Sequence, residues 1–182
     1  QFNTRVDVDE LVQGGFDEIL LATGVTPRTP AIEGVDHPKV LSYLDVLRDK
    51  KPVGKNVAVI GAGGIGFDVS EYLTHEGESP SLNLAKFNAE WGIDSEYKDR
   101  GGIKAPHLDK APRQIYLLQR KTSKVGDGLG KTTGWIHRTS LKNRNVEMIA
   151  GATYNKIDDA GLHISVGGKD VLLPVDNVVL CA

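Results

Sequence analysis

The apolar positions of this chain switch from the period of a buried strand to the period of a helix. Residues 57–60 are four consecutive apolar positions. Apolar side chains then recur at helical spacing, at Ile65, Val69, Tyr72 and Leu73. A short apolar run bounded by a glycine turn is typical of a buried strand, and the longer spacing is typical of an amphipathic helix. We therefore predict a strand over residues 57–60 and a helix over residues 64–75.

The remaining apolar runs predict an α/β fold. Further strands are expected over residues 114–118, 146–149 and 177–180, with a second helix over residues 131–144. Three short strands, separated by Asp- and Gly-containing turns, are expected near residues 152–157, 162–166 and 171–173. This β-meander takes the place of a crossover helix before the last strand. The pattern predicts a Rossmann-like, three-layer domain with a β-meander crossover.

Two parts of the chain depart from this regular pattern. Residues 77–112 are rich in proline and glycine, and only residues 82–91 are amphipathic, so we predict an insertion with one short helix and a long irregular surface segment. Residues 25–41 contain three prolines and read as an extended crossing segment. Ser42 is predicted to cap a short helix over residues 43–48.

An internal echo relates the two ends of the chain. Residues 16–24 and residues 175–182 each contain an acidic turn, an apolar run and small residues. We therefore expect a buried strand over residues 19–21, which ends on Ala22, Thr23 and Gly24. The first copy ends on glycine, whereas the second stops where a glycine would be expected. We expect the chain to be an excised piece of a longer protein.

Composition narrows the possible partners and chemistry. The chain has 182 residues, a net charge of −2 and 25% charged residues, which gives no basic field for nucleic acid or for a membrane surface. The single cysteine, Cys181, excludes an internal disulfide, a C-x-x-C pair and a cysteine-ligated cluster within this chain, and it fits a cytoplasmic setting. The five histidines have no ligand spacing, so we predict no metal site and no catalytic residues.

The clearest candidate chemistry is the sequence G-x-G-x-x-G between the first strand and the first helix. Gly61 would permit the tight turn, Gly63 would let the backbone approach a pyrophosphate, and Gly66 would let helix and strand pack closely. The N-terminus of the helix would offer N–H groups and a positive dipole end to the phosphates. The alternative is a glycine turn that serves packing alone.

The end of strand 114–118 decides between the two nicotinamide dinucleotides. A carboxylate at this point would accept hydrogen bonds from the ribose 2′-hydroxyl, whereas a cation would accommodate a 2′-phosphate. The strand is followed by Gln119, Arg120 and Lys121, and the nearest acid downstream is Asp127. Arg120 can bind phosphate with two hydrogen bonds, and Lys121 or Lys124 can add a point charge. We predict a preference for NADPH; the alternative is a solvated basic turn.

Three stretches of sequence then carry a resemblance to one family. Residues 22–30, 63–73 and 119–138 closely resemble the C-terminal half of the bacterial NADPH-dependent 2,4-dienoyl-CoA reductases, and the resemblance covers essentially the whole chain. It implies an N-terminal TIM barrel with FMN, a 4Fe-4S cluster and the site of reduction, followed by domains that bind FAD and NADPH. Hydride would pass from NADPH to FAD, and electrons would reach the dienoyl-CoA through the cluster and FMN, in the β-oxidation of unsaturated fatty acids.

The resemblance also implies a division of the chain and a set of cofactor contacts. Residues 1–53 would be a remnant of the FAD-binding domain with its crossing linker, and residues 54–182 would be the NADPH-binding domain. The pyrophosphate would contact the glycine turn, namely Gly61, Gly63, Gly64, Ile65 and Gly66. The 2′-phosphate would contact the basic turn, namely Arg120, Lys121 and Lys124. Ala22, Thr23 and Gly24 would lie near FAD. The partners would be the FAD domain and barrel of the same protein, and this chain alone would be inactive.

Two other functions remain open from the sequence. The chain could be the electron-input unit of a related flavoenzyme, similar to trimethylamine dehydrogenase or glutamate synthase. It could also be a non-catalytic module that binds a nucleotide structurally or binds a protein partner. A disulfide reductase is disfavoured because no C-x-x-C pair is present.

Overall fold

A computed structural model describes residues 2–181 of the chain. In chain order the helices and strands are α1 (Val8–Gln13), β1 (Val40–Ser42), α2 (Tyr43–Leu47), β2 (Asn56–Ile60), α3 (Gly64–Thr74), α4 (Leu84–Trp91), β3 (Gln114–Leu118), α5 (Gly134–Asn143), β4 (Glu147–Ile149), β5 (Ala152–Asp158), β6 (Gly161–Val166), β7 (Lys169–Leu173) and β8 (Asn177–Leu180). Two single 3₁₀ turns, Pro80–Leu82 and Arg100–Gly102, lie on either side of α4.

A five-stranded parallel sheet forms the centre of the fold, in the order β1-β8-β2-β3-β4. Ile60 at the end of β2 lies opposite Leu118 on one side and Leu180 on the other. The segments that follow β2, β3 and β8 therefore emerge at the same edge of the sheet. In open parallel sheets this carboxyl edge is where ligands bind.

The side chains of β2 point alternately to the two faces of the sheet, and each face is covered by a different layer. Val57 and Val59 pack with buried residues of α3 and α5, such as Phe67 and Leu141. The intervening Ala58 and Ile60 point the other way, into a second core with the antiparallel sheet β5-β6-β7. Because both faces of β2 are covered, all its central positions are apolar, as is typical of parallel sheets. The predicted three-layer α/β fold with a β-meander crossover is confirmed.

The insertion over residues 77–112 contains one helix, α4, as predicted. A buried ionic cluster fastens it to the helix layer. Arg144 follows α5 and is only 4% exposed. Its guanidinium forms an ion pair with Glu90 of α4 at 2.9 Å, donates to the backbone oxygen of Asp109 at 2.9 Å, and contacts His75 Nε2 at 3.1 Å. The irregular part of the insertion is thus held at both of its ends.

The predicted strand over residues 19–21 is wrong. Ile19, Leu20 and Leu21 are 45%, 92% and 81% exposed and lie outside every strand. A strand needs neighbours that satisfy its backbone groups and cover its side chains. Among residues 2–181 no strand pairs with this segment. The second copy of the echo, residues 175–182, does contain a strand, β8. The last residue of this copy, Ala182, lies outside the described residues.

The crossing segment leads into an edge strand that the sequence analysis missed. β1 pairs with β8 and has only three residues, too few to show an apolar period. The Ser42 hydroxyl then accepts a hydrogen bond from the Asp45 amide at 3.2 Å, so the predicted cap of α2 is confirmed. Part of residues 1–53 is thus built into the parallel sheet, and the division at residue 53 stays a prediction. Within residues 2–181, no helix is long and apolar enough to cross a bilayer.

Candidate nucleotide-binding cleft

The turn between β2 and α3 depends on two glycines. Gly61 donates its N–H to the oxygen of Leu118 at 3.0 Å and has φ = 109°, a conformation that favours glycine. A Cβ added at Gly66 would lie 1.7 Å from the backbone oxygen of Gly61. The first turn of α3 can therefore lie against the end of β2 only because residue 66 has no side chain.

The other two glycines of the turn open onto a cleft. A Cβ added at Gly63 or Gly64 would meet no atom within 4 Å. Both residues line a cleft of about 840 Å³ at the carboxyl edge of the sheet, together with Arg120 and Lys121 from the turn after β3. The fold thus brings together two segments that the insertion separates widely in sequence.

The basic turn after β3 is held in place by backbone contacts. The side-chain amide of Gln119 donates to the oxygens of Lys121 at 3.0 Å and Ser123 at 2.6 Å. The N–H of Gly151 also donates to the Lys121 oxygen, at 2.9 Å. Fixing the backbone in this way reduces the entropy that a ligand must remove when it binds.

The charge of this cleft distinguishes it from a second cavity. Its lining contains three cations, Arg28, Arg120 and Lys121, and one carboxylate, Asp127. A cavity of about 720 Å³ between α2, α3, α4 and α5 contains equal numbers of each: Lys50, Lys51 and Arg113 face Glu71, Glu76 and Glu90. Only the first of these two spaces offers an excess of positive charge to a phosphate ligand.

Two side chains of the cleft stay neutral near pH 7. Burial raises the pKa of Tyr154 on β5 to about 12, and the charge of Arg120 opposes this rise. Burial also raises the pKa of the Cys181 thiol to about 12. The hydroxyl of Tyr154 therefore stays protonated, and Cys181 is held as a thiol, which is a poor nucleophile.

The predicted site residues fall into three groups. Gly61, Gly63, Gly64, Arg120 and Lys121 line the cleft, and Gly66 lies directly behind the glycine turn. Ile65 and Lys124 are exposed and do not line it. Ala22, Thr23 and Gly24 are likewise exposed and lie outside it.

Sequence reasoning missed Arg28, Thr153 and Tyr154, which also line the cleft. Arg28 precedes β1, and the two others belong to the meander, so their presence depends on how the crossing segment and β5 pack. No local period or motif marks them.

Several known proteins that are similar to this chain in sequence or structure are oxidoreductases. The chain is 25% identical to a metal reductase of Desulforamulus reducens over 99% of its own length and 26% of that protein. It is 39% identical to a cinnamate reductase of Clostridium sporogenes, over 45% of the chain and 12% of that protein. The chain therefore spans about a quarter or less of these relatives.

A solved structure of a 2-naphthoyl-CoA reductase in complex with 2-naphthoyl-CoA is also similar. It matches 87% of this chain with a TM-score of 0.62 and 25% identity, and the match covers 19% of that protein. The sequence pattern of the pyridine nucleotide-disulphide oxidoreductases matches residues 3–182. The chain therefore belongs to the pyridine nucleotide-disulphide oxidoreductase family.

Proposed function

We propose that the chain binds NADPH in this cleft and is the nicotinamide-binding unit of a flavin-dependent oxidoreductase. The observation that carries the proposal is the convergence of an open glycine turn and a basic turn at one edge of the parallel sheet. Such an edge, with a helix N-terminus beside it, is suited to the phosphates of a dinucleotide.

The glycine turn would hold the pyrophosphate. The first helical hydrogen bond of α3 runs from the N–H of Phe67 to the oxygen of Gly63, at 3.1 Å. The N–H groups of the three preceding residues lie in the first turn, where a helix offers no internal acceptor. Because a Cβ at Gly63 or Gly64 would point into open space, nothing of the chain itself fills the position where a phosphate would approach.

The basic turn would hold the 2′-phosphate. Arg120 and Lys121 line the cleft where a carboxylate would be needed to accept bonds from a free 2′-hydroxyl. Asp127 places one carboxylate in the lining of the cleft, where it is outnumbered by the cations. This balance favours NADPH over NADH.

Bound NADPH would supply a hydride, while the residues described here would bind and orient it. None of them is proposed as a catalytic residue. Ala22, Thr23 and Gly24 are exposed and do not enclose a flavin by themselves. We propose that the FAD domain of the same protein, of which residues 1–53 would be a remnant, covers them.

For the intact protein we propose a cytoplasmic reductase of the 2,4-dienoyl-CoA reductase type. Its FMN, its 4Fe-4S cluster and its barrel would lie outside the present chain. Support comes from the stretches 63–73 and 119–138 and from the similarity to a reductase solved with 2-naphthoyl-CoA. The second candidate is an electron-input unit for another acceptor, since the match to a metal reductase covers 99% of the chain.

Arg120→Ala tests the proposed role of the basic turn. A hydrogen-bonded charge pair contributes about 1.5–3 kcal/mol, so the variant should bind NADPH roughly tenfold or more weakly. NADH, which has no 2′-phosphate, should be bound within about twofold of the unchanged chain. Isothermal titration calorimetry with both nucleotides measures this.

Lys124→Ala is the matched control, because Lys124 is a cation of the same loop that does not line the cleft. Its NADPH affinity should stay unchanged. An equal loss for both nucleotides with Arg120→Ala, or no loss for either, would contradict the assignment of the 2′-phosphate to Arg120.

A further inference from the structure

A third cation reaches the cleft from a part of the chain far from both predicted motifs. Arg28 lies in the crossing segment before β1, and residues 28–32 line the cleft. The function proposed above assigns Arg28 no role. Its side chain is exposed and forms no ion pair with another described residue, so it is available to a ligand.

The crossing segment is fastened immediately after these residues. Ile32 is only 8% exposed and packs in the core between the sheet and the meander. The N–H of Ile157 on β5 donates to the oxygen of Glu33 at 2.8 Å. Further along, the ammonium of Lys39 donates to the oxygen of Val175 at 3.2 Å. Arg28 therefore lies five residues before Glu33, whose backbone is bonded to β5.

The direction of this contact shows which end of the cleft Arg28 approaches. Glu33 and Lys156 form a parallel bridge, so residues before Glu33 run towards the start of β5. At that start, the N–H of Ala152 donates to the oxygen of Gln119 at 3.0 Å, next to Arg120. Tyr154 of β5 lines the cleft together with Arg120. Arg28 is thus directed to the end of the cleft that contains the basic turn.

Charge supplies the reason for a third cation at this end. Arg120 and Lys121, less the carboxylate Asp127, give the lining a net charge of only +1, and Arg28 raises it to +2. A phosphate monoester carries a charge of about −1.5 to −2 near neutral pH, which the lining balances only when Arg28 is included. A pyrophosphate would instead be bound by the N–H groups of the glycine turn, which need no additional cation.

We propose that Arg28 is a specificity-determining residue, which contacts the 2′-phosphate of NADPH from the crossing segment while Arg120 and Lys121 contact it from the turn after β3. This inference rests on the proposed function, because it requires that the cleft binds a dinucleotide. Bound NADPH would then contact both the segment before β1 and the turn after β3.

The test compares Arg28→Ala with the unchanged 182-residue chain, using NADPH and NADH in calorimetric titrations. We expect NADPH to bind roughly tenfold more weakly, because a charge-assisted contact is lost, and NADH to bind within about twofold of its original affinity. Arg28→Lys should recover part of the NADPH affinity. Adenosine 2′,5′-bisphosphate should show the same loss as NADPH, whereas AMP should show none.

Arg5→Ala is the matched control, since Arg5 is an exposed arginine of the same N-terminal region that does not line the cleft. Equal losses for NADPH and NADH in Arg28→Ala would place Arg28 at the pyrophosphate and overturn the inference. Unchanged binding of both would also overturn it. If the unchanged chain binds neither nucleotide, the proposed function itself fails, which separates the two outcomes.

Discussion

Gly66→Ala should strongly destabilise the chain and abolish nucleotide binding. The new methyl group would lie 1.7 Å from the oxygen of Gly61 and 3.4 Å from Leu117 Cδ1. The clash is with the backbone of Gly61, whose carbonyl carbon would also lie only 2.9 Å away, and this backbone cannot yield easily because it forms the turn; the distance to Leu117 is an ordinary van der Waals contact. Overpacking of a core costs about 1–3 kcal/mol and occasionally more, and a clash with backbone belongs at the upper end of this range.

Urea denaturation followed by circular dichroism measures the loss for Gly66→Ala. Gly63→Ala is the matched control in the same turn: Gly63 has φ = −84°, and its added Cβ meets nothing within 4 Å. The control should change the free energy of unfolding by no more than about 0.5 kcal/mol, yet weaken nucleotide binding by placing a methyl group in the cleft. Equal stability of Gly66→Ala and Gly63→Ala would refute the packing role of Gly66.

Arg144→Met should lower the free energy of unfolding by about 3–5 kcal/mol, because it leaves the largely buried carboxylate of Glu90 without its main partner. Arg144 is 4% exposed, and the side chain of Glu90 is 12% exposed. The variant also removes the hydrogen bond to the oxygen of Asp109. We expect the insertion over residues 77–112 to detach first, so its amides should lose protection from hydrogen exchange before those of β2 and β3.

Two further variants separate this ion pair from a general effect of charge removal. Lys142→Met removes an exposed cation just before the end of α5 and should change the stability by no more than about 0.5 kcal/mol. Arg144→Met combined with Glu90→Leu removes both charges and should recover part of the loss, since an apolar pair avoids the desolvation of an unpaired ion. If Arg144→Met alone were as stable as the unchanged chain, the cluster around Arg144 would not hold the insertion.

The sequence predicted the central strands well because each is buried on both faces. β3 and β8 begin and end at the predicted residues, 114–118 and 177–180. The same signal failed at residues 19–21, where the apolar run lacks the neighbouring strands that would bury it. Apolar character thus predicts that a segment can become a strand, while pairing decides whether it does.

Element boundaries were predicted less accurately wherever a turn competes with a helix. Helix α5 begins at Gly134, three residues later than predicted, because the N–H groups of Thr133 and Gly134 both bond to the oxygen of Gly130 and close a turn first. Thr133 occupies the N-cap position without a side-chain hydrogen bond.

The candidate site was predictable only where it follows a local motif. The glycine turn and the basic turn are each recognisable within a few residues, and the parallel register of β2 and β3 brings them together. Arg28 reaches the cleft through the contact between Glu33 and β5, which pairs residues more than a hundred positions apart. Tyr154 lies in β5, whose start is bonded to the basic turn, also across many residues of sequence. No pattern along the chain encodes that contact.

The most direct test of the central claim is the ratio of the dissociation constants of the 182-residue chain for NADH and NADPH, measured by calorimetric titration at fixed ionic strength. If the cleft binds a dinucleotide and contacts its 2′-phosphate, NADPH should bind at least ~10-fold more tightly than NADH, a difference of about 1.4 kcal/mol. Equal dissociation constants would contradict the 2′-phosphate site, and the absence of binding by either nucleotide would contradict the nucleotide-binding function.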